Sequence, residues 1–205
     1  MKLSKIYDTL VLNRTYEHFL SYLKTPFNDV NKAHLIMLRE TGILSEEIVK
    51  SIKDGLIRYD AWQGFPEKKP AEVEDYFFYA EQTLSQFIGT TAAGSLHIAR
   101  SRNDMDTTLF RMVMREDIAV WMLRALRLLE ALIAHGRQHL ATPVVLFTHG
   151  QPAQISSYAH YLGAMVEEMA EVVELQHQAY EIVNRCPMGA GAITTTGFPI
   201  DRNRV

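Results

Sequence analysis

Three polar segments of the chain contain the side chains whose types and spacing could do chemistry. The first, GSLHIARSRNDMD (residues 94–106), places Ser101, Arg102 and Asn103 side by side. A guanidinium pairs with a carboxylate through two parallel hydrogen bonds, and serine and asparagine add neutral donors. The backbone N–H groups at the start of the helix that follows also favour negative charge. These residues predict a site for a small molecule that carries carboxylates.

The second segment, THGQPAQ (residues 148–154), adds groups suited to proton transfer. Thr148 supplies a hydroxyl group, and His149 supplies an imidazole that titrates near neutral pH; both are usual parts of general acid–base catalysis. The third segment, PMGAGAITTTGFPIDR (residues 187–202), is rich in glycine and threonine.

Each segment also has a simpler interpretation as an ordinary solvated loop. In that case His149 has no chemical role, Gln151 satisfies backbone groups, and Asp104 or Asp106 caps the helix that follows. Residue types alone therefore indicate an anion-binding helical protein and no particular reaction.

The periodicity of apolar residues predicts that two long helices hold these segments. One pattern runs from about Thr107 to Leu140 without proline, and another runs from the second segment to about Arg185. At about 1.5 Å per residue, the first helix would be on the order of 50 Å long. Shorter helices are expected over about residues 3–23, 31–40, 45–62 and 72–88. We therefore predict an all-α fold, a long antiparallel helical bundle with a small N-terminal helical region and no β-strand of any length.

The first long helix is apolar on every side, because Val120, Trp121, Met122 and Leu123 follow one another directly. A helix that is apolar all round is buried all round, and this chain has few other elements to cover it. Burial against other copies of the chain is one solution, and a covering element outside this chain is the other.

Long helices also put the first and third segments at one end and the second at the opposite end. A site that combines the first two would therefore draw them from different subunits, unless a helix is kinked.

Composition excludes several classes of protein. The chain has 21 basic and 24 acidic residues and a net charge of −3, which disfavours a nucleic-acid-binding surface. The single cysteine, Cys186, excludes an internal disulfide and a multi-cysteine metal site. We find no apolar run long enough to cross a membrane and no signal-peptide pattern at the N-terminus, so a cytoplasmic location is expected.

The three segments, in this order and together with NKAHLIMLRETGILSEE (residues 31–47), resemble the argininosuccinate lyase family of the fumarase/aspartase superfamily. The resemblance implies a fumarase/aspartase-like fold in which residues 1–105 form an N-terminal helical domain. Residues 106–205 would form the first part of the central long-helix domain. The resemblance also implies a homotetramer whose sites are shared among three subunits, with no metal or organic cofactor.

The chemistry implied by the resemblance is cleavage of a succinyl C–N bond by β-elimination, which releases fumarate. A base removes the Cβ proton, a carbanion forms beside a carboxylate, and an acid protonates the departing nitrogen. In the family's pattern Ser101, Arg102 and Asn103 bind the substrate carboxylates, and Thr148 and His149 assist proton transfer. Substrate contacts are implied for two further residues, Gln151 and Thr195. Argininosuccinate, cleaved to arginine and fumarate, is the first choice of substrate.

Two departures from the family leave alternatives open. The family's loop of Gly-Ser-Ser-x-Met-Pro type, which carries the catalytic serine, is not found before Val205. We therefore expect either the N-terminal portion of a longer protein or a split or degenerate version, and an isolated chain without activity.

The helix before the first segment usually carries His and Asn in this family, but here it reads EDYFFYAEQTL (residues 74–84), in which only Asp75 and Glu81 fit. The substrate could thus be adenylosuccinate or another N-succinyl amine, and a non-catalytic structural protein, as in lens crystallins, is the alternative of a different class.

Overall fold

The computed structural model of the chain describes residues 4–205, and most of that range is helical. The start of the first helix expected at about Leu3 lies outside the described residues. Eight α-helices occur in the described range: α1 (Lys5–Tyr7), α2 (Asn13–His18), α3 (Lys24–Glu40), α4 (Glu46–Asp60), α5 (Tyr76–Ile88), α6 (Thr90–Ser95), α7 (Arg102–Gln138) and α8 (Tyr158–Val183). Two strands, β1 (Pro143–Thr148) and β2 (Gln151–Ser157), form a hairpin between α7 and α8.

The first three helices form one continuous helical run. Wider π-helical turns at Asp8–Leu12 and Phe19–Leu23 connect them without a break. The gap expected between the helices over residues 3–23 and 31–40 is therefore wrong, because α3 spans Lys24–Glu40. Pro26 lies in the first turn of α3, and its fixed φ is compatible with the helix.

Side-chain caps fix the starts of the next two helices. Ser45 caps α4 by accepting a hydrogen bond from the Ile48 N–H at 3.4 Å, and it is the residue at which the helix over residues 45–62 was expected to begin. Asp75 caps α5 by accepting one from the Phe78 N–H at 3.1 Å. Helix α5 therefore begins at Tyr76, four residues later than the pattern from Glu72 predicts.

The chain divides into two compact units. The first consists of residues 4–113 together with Cys186–Val205, and the second is Met114–Arg185. Helix α7 contributes its first 12 residues to one unit and the rest to the other, because the division falls after Val113. The expected domain boundary at residues 105/106 stays a prediction.

The first unit is built around two clusters of buried side chains. One is aromatic, and Tyr16, Phe19 and Tyr76 lie at its centre, with the Phe19 and Tyr76 rings stacked 4.3 Å apart. The second is aliphatic and joins α3, α4 and α6 through residues such as Leu38, Ile52 and Ala93. Large side chains buried this completely hold the first unit together and support the start of α7.

The second unit consists of the two long helical segments and the hairpin that joins them. At one end Arg115 donates a hydrogen bond to Asn184 at 3.1 Å, and at the other the His135 and Tyr158 rings lie 5.7 Å apart. Residues near the start of one segment thus meet residues near the end of the other, which confirms the predicted antiparallel pair. The nearly all-α fold is also confirmed.

The hairpin corrects the expectation that no strand occurs. Strands β1 and β2 pair in antiparallel register from Pro143 opposite Ser157 to Thr148 opposite Gln151, with an irregularity between Leu146 and Phe147. The second polar segment is consequently the tip and second strand of a hairpin and not a loop between helices.

Candidate functional site

The first polar segment ends in a reciprocal cap at the start of α7. Asp104 accepts a hydrogen bond from the Ser101 N–H through Oδ1 at 3.1 Å, while Ser101 Oγ accepts one from the Asn103 N–H at 3.3 Å. This is the capping-box arrangement, in which two otherwise unpaired N–H groups are satisfied by side chains. The Ser101 hydroxyl accepts in this arrangement, so its own hydrogen can be donated to a ligand.

Arg102, the first residue of α7, reaches across to the cap of α5. Its guanidinium forms an ion pair with Asp75 Oδ2, while the other oxygen of Asp75 caps α5. The rings of Phe77 and Phe78 lie 5.0 and 5.1 Å from the guanidinium carbon, within the range of cation–π attraction. Because 38% of the Arg102 side chain is exposed, a ligand carboxylate could reach the guanidinium from solvent.

A small pocket of about 80 Å³ opens beside this ion pair. Its lining includes polar groups from α2, from α7 and from the cap of α5, together with two aromatic rings: His18, Phe19, Asp75, Arg102, Asp106 and Phe110. Burial raises the pKa of Asp106, the Arg102 charge opposes that rise, and the Asp75 charge adds to it. The start of α7 therefore combines one cation with two carboxyl groups in a confined space.

The third polar segment contacts the first through a hydrogen bond from a backbone N–H to a side-chain carboxylate. The Gly191 N–H donates to Asp104 Oδ2 at 2.8 Å, across 87 positions of sequence. Thr195 closes the segment on itself, since its N–H donates to the Ala190 oxygen at 2.7 Å and its hydroxyl donates to the Gly189 oxygen at 3.0 Å. The prediction that the first and third segments lie at the same end is thus confirmed, and the contact between them goes beyond it.

A buried group of histidines and an arginine supports the first segment from behind. His34 is 1% exposed, and its Nε2 lies 2.9 Å from the Ile98 oxygen, while Arg100 donates to His97 Nδ1 at 2.8 Å. The pKa of His97 is lowered to about 3 by burial, by the Arg100 charge and by His34. The pKa of His34 is lowered to about 4 by burial and by the Arg100 charge, although the hydrogen bond with the Ile98 oxygen opposes this change. Both rings are neutral at pH 7, which leaves Arg100 as the only cation among them.

The second polar segment presents its side chains at the tip of the hairpin. Thr148 and Gln151 face each other in the register, and His149 and Gly150 form the two-residue turn between them. Both turn residues have positive φ, 48° and 76°, as the tight hairpin turn matched to strand twist requires. For His149 this is a sparsely populated conformation, and its side chain is exposed.

The structure thus assembles the predicted site residues in two groups. Ser101, Arg102 and Asn103 lie with the loop of Thr195 in the first unit, and Thr148, His149 and Gln151 lie together at the hairpin tip of the second. Sequence reasoning treated Asp104 only as a possible helix cap and missed its contact with Gly191. The Ser-x-x-Asp spacing of residues 101–104 was the available signal for the cap, but no local pattern indicates the long-range contact.

Within residues 4–205, no three His, Cys, Asp or Glu side chains are grouped so that they could hold a metal ion. No helix in this described range is both long and apolar enough to cross a membrane.

Comparisons with known proteins agree on the nature of the chain. Residues 39–205 match the profile of a family described as lyase. Argininosuccinate lyase 2 of Agrobacterium fabrum is 42% identical over 201 residues, which cover 98% of this chain and 40% of that protein. An argininosuccinate lyase of Methanosarcina barkeri is 35% identical and is matched over 85% of this chain and 35% of its own length. The chain thus spans 40% or less of these two relatives.

Solved structures show the same similarity. EDDS lyase in complex with formate superposes with a TM-score of 0.81 at 32% identity, covering 97% of this chain and 38% of that one. A fumarate lyase from Mesorhizobium sp. BNC1 shares the fold with a TM-score of 0.70 at 18% identity, covering 88% of this chain and 43% of that one. The matched family profile, the argininosuccinate lyase relatives and these structures together establish that the chain belongs to the lyase family of the fumarase/aspartase superfamily.

Proposed function

We propose that the protein to which this chain belongs is a fumarate-releasing C–N lyase, with argininosuccinate as the first candidate substrate. The observation that supports it best is the start of α7, where Arg102 lies accessible beside Ser101 and Asn103. A substrate that yields fumarate carries two carboxylates, and a guanidinium flanked by neutral donors suits one of them. The similarity to argininosuccinate lyases, at 42% and 35% identity, supports the same proposal.

The proposed reaction is a β-elimination. A base removes the Cβ proton of the succinyl group, negative charge spreads into the adjacent carboxylate, and an acid protonates the departing nitrogen. Arg102, Ser101 and Asn103 hold the carboxylates, and fixed donors of this kind stabilise charge as it develops. The backbone N–H groups at the start of α7 add to the same effect.

Thr148, His149 and Gln151 serve the proton transfers and orient the substrate in this proposal. The hairpin tip is suited to that task, because a two-residue turn fixes its backbone and leaves the side chains exposed. Thr195 binds the substrate from the third segment. The protein acts as a homotetramer with sites shared between subunits, which the exposed apolar residues of α7 support.

A second candidate differs only in the amine half of the substrate. Phe77 and Phe78, in the helix where the family usually carries His and Asn, lie with their rings against Arg102. Aromatic rings there replace hydrogen-bonding groups that could contact a polar amine. The similarity to EDDS lyase, at 32% identity, supports a lyase of this superfamily whose substrate is not argininosuccinate.

A panel of N-succinyl amines tests both candidates. The full open reading frame that contains this chain is expressed, and fumarate release is followed by ultraviolet absorbance with argininosuccinate, adenylosuccinate and other N-succinyl amines. Release from argininosuccinate supports the first candidate, and release only from another amine supports the second. A folded protein that releases fumarate from none of them contradicts the proposal and favours a structural role.

Arg102→Lys tests the assigned carboxylate contact. Lysine keeps the charge but cannot form the two-bond fork, so kcat/KM is expected to fall on the order of 100-fold. Arg204→Lys is the matched control, because Arg204 forms a two-bond pair with Glu40 on the surface and has no assigned contact with substrate. Equal activity of the two variants would contradict the assignment.

A further inference from the structure

Asp104 uses its carboxylate for more than capping α7. The capping box needs one acceptor, and Oδ1 supplies it to the Ser101 N–H at 3.1 Å. The second oxygen accepts from the Gly191 N–H at 2.8 Å. One carboxylate group therefore holds the backbone of the first polar segment and the backbone of the third.

The contact at Gly191 determines where Thr195 lies. Gly191 has a φ of 63°, and a Cβ at this position would meet the Thr195 backbone oxygen at 2.8 Å, so the two residues are packed backbone against backbone. Thr195 also has positive φ, 68°, and bonds back to Ala190 and Gly189. These contacts tie the position of Thr195 to that of Gly191.

Two hydrogen-bond donors and the Arg100 cation stabilise the charge of Asp104. Asp104 is 5% exposed, and a buried carboxylate is tolerated only with hydrogen bonds or a counter-charge. It has both, because two N–H groups point at it and the Arg100 cation lies close enough to interact with it. Burial lowers the pKa of Arg100 to about 10, and the Asp104 and Glu81 charges oppose that change. A helix cap alone would not require a charged residue at this depth, since uncharged residues cap helices equally well.

We propose that Asp104 is a positioning residue that locks the third polar segment onto the first, so that the turn containing Thr195 is held beside Ser101 at the substrate site. The inference rests on the proposed function for the ligand contacts of Ser101 and Thr195. The lock itself depends only on the two hydrogen bonds of Asp104.

Asp104→Asn separates the lock from the cap. The asparagine oxygen can still accept from the Ser101 N–H, but its NH₂ group faces the Gly191 N–H, so two donors meet and the bridge is lost. Asp117→Asn is the matched control, because it makes the same change at an exposed position of α7. Amide hydrogen exchange of residues 189–195 is expected to quicken in Asp104→Asn and not in the control, while exchange in α3 and α4 is unchanged. Unaltered exchange at 189–195 would overturn the lock.

A double-mutant cycle with Thr195→Ala tests what the lock does. In the full-length protein Asp104→Asn is expected to lower kcat/KM by about 10- to 100-fold, the cost of a misplaced binding group. Thr195→Ala should lower kcat/KM in the wild type and have little further effect once Asp104 is replaced. Additive losses would show that Asp104 does not act through Thr195. If Thr195→Ala alone has no effect on kcat/KM, the proposed substrate contact of Thr195 is contradicted. The exchange measurement still tests the link between the two segments in that case, because it needs no substrate.

Discussion

Arg100 and Arg102 are two residues apart but have opposite surroundings. Arg102 is partly exposed and already paired with a carboxylate, that of Asp75, so a ligand carboxylate must compete for it. Arg100 points inward and donates to the Nδ1 atom of His97, which can accept only while that ring is neutral. Arg102 is thus suited to bind a ligand, and Arg100 is suited to hold in place the segment that contains Arg102.

The buried histidines make stability sensitive to acid. His34 has an ordinary pKa of 6.5 that burial and the Arg100 charge lower to about 4 in the folded protein. Below pH 6.5 the unfolded chain therefore binds more protons, and the free energy of unfolding falls as the pH drops towards 4. For His34 alone the full loss is on the order of 3 kcal/mol. Urea unfolding at a series of pH values measures it.

His34→Gln is the variant that isolates this contribution from the titration of surface carboxylates. Glutamine keeps an N–H that can donate to the Ile98 oxygen but does not titrate. The free energy of unfolding of His34→Gln should therefore depend less steeply on pH than that of the wild type. His177→Gln, at an exposed position of α8, should behave like the wild type. Identical slopes for His34→Gln and the wild type would show that His34 is not the source.

At the scale of elements, local signals predict much of the helical structure, and pairing over long distances is what they miss. Ser45 and the apolar spacing after it predict α4, because both cap and helix are formed by neighbours in sequence. The hairpin was missed because Val144–Phe147 is a short apolar run without alternation, and Pro152 disfavours a strand. The site follows the same rule, since the residues of the first segment were predictable and the bond from Asp104 to Gly191 was not.

The hairpin turn gives a prediction in which stability and activity change in opposite directions. His149→Asn places a residue that tolerates positive φ better at the first position of the turn, followed by Gly150 as in the preferred Asn-Gly pair. The free energy of unfolding should rise by roughly 0.5–1 kcal/mol. Fumarate release should fall at least about 100-fold if His149 takes part in proton transfer.

Gly150→Ala is the contrasting change in the same turn. It should destabilise the protein, because Gly150 has a φ of 76° that an L-residue rarely adopts. Thermal unfolding measures both variants, and fumarate absorbance measures their activity. A fully active His149→Asn would contradict the catalytic assignment and leave the turn argument intact.

At the scale of the whole molecule, α7 exposes apolar side chains on several sides. Val120, Trp121 and Leu123 are 48%, 42% and 51% exposed, although Ala125 and Leu129 on the same helix are buried. Successive residues of a helix are about 100° apart, so consecutive exposed apolar positions cannot all face one neighbouring helix. Large exposed apolar surface of this kind marks an interface. The sequence predicted this feature, because it depends only on residue types along one helix.

Leu123→Glu tests whether that surface joins copies of the chain. A carboxylate buried in an apolar interface is strongly unfavourable, so the full-length protein should change from the expected tetramer to smaller species. Light scattering on a size-exclusion column measures the molar mass. Ile57→Glu is the matched control, because Ile57 is an apolar residue of α4 that is 56% exposed, and the same charge there should leave the mass unchanged. Fumarate release should fall with the tetramer in Leu123→Glu, since each proposed site takes residues from more than one subunit. A Leu123→Glu protein with unchanged mass would contradict the assignment of the interface, and one that is active as a monomer would contradict the shared site.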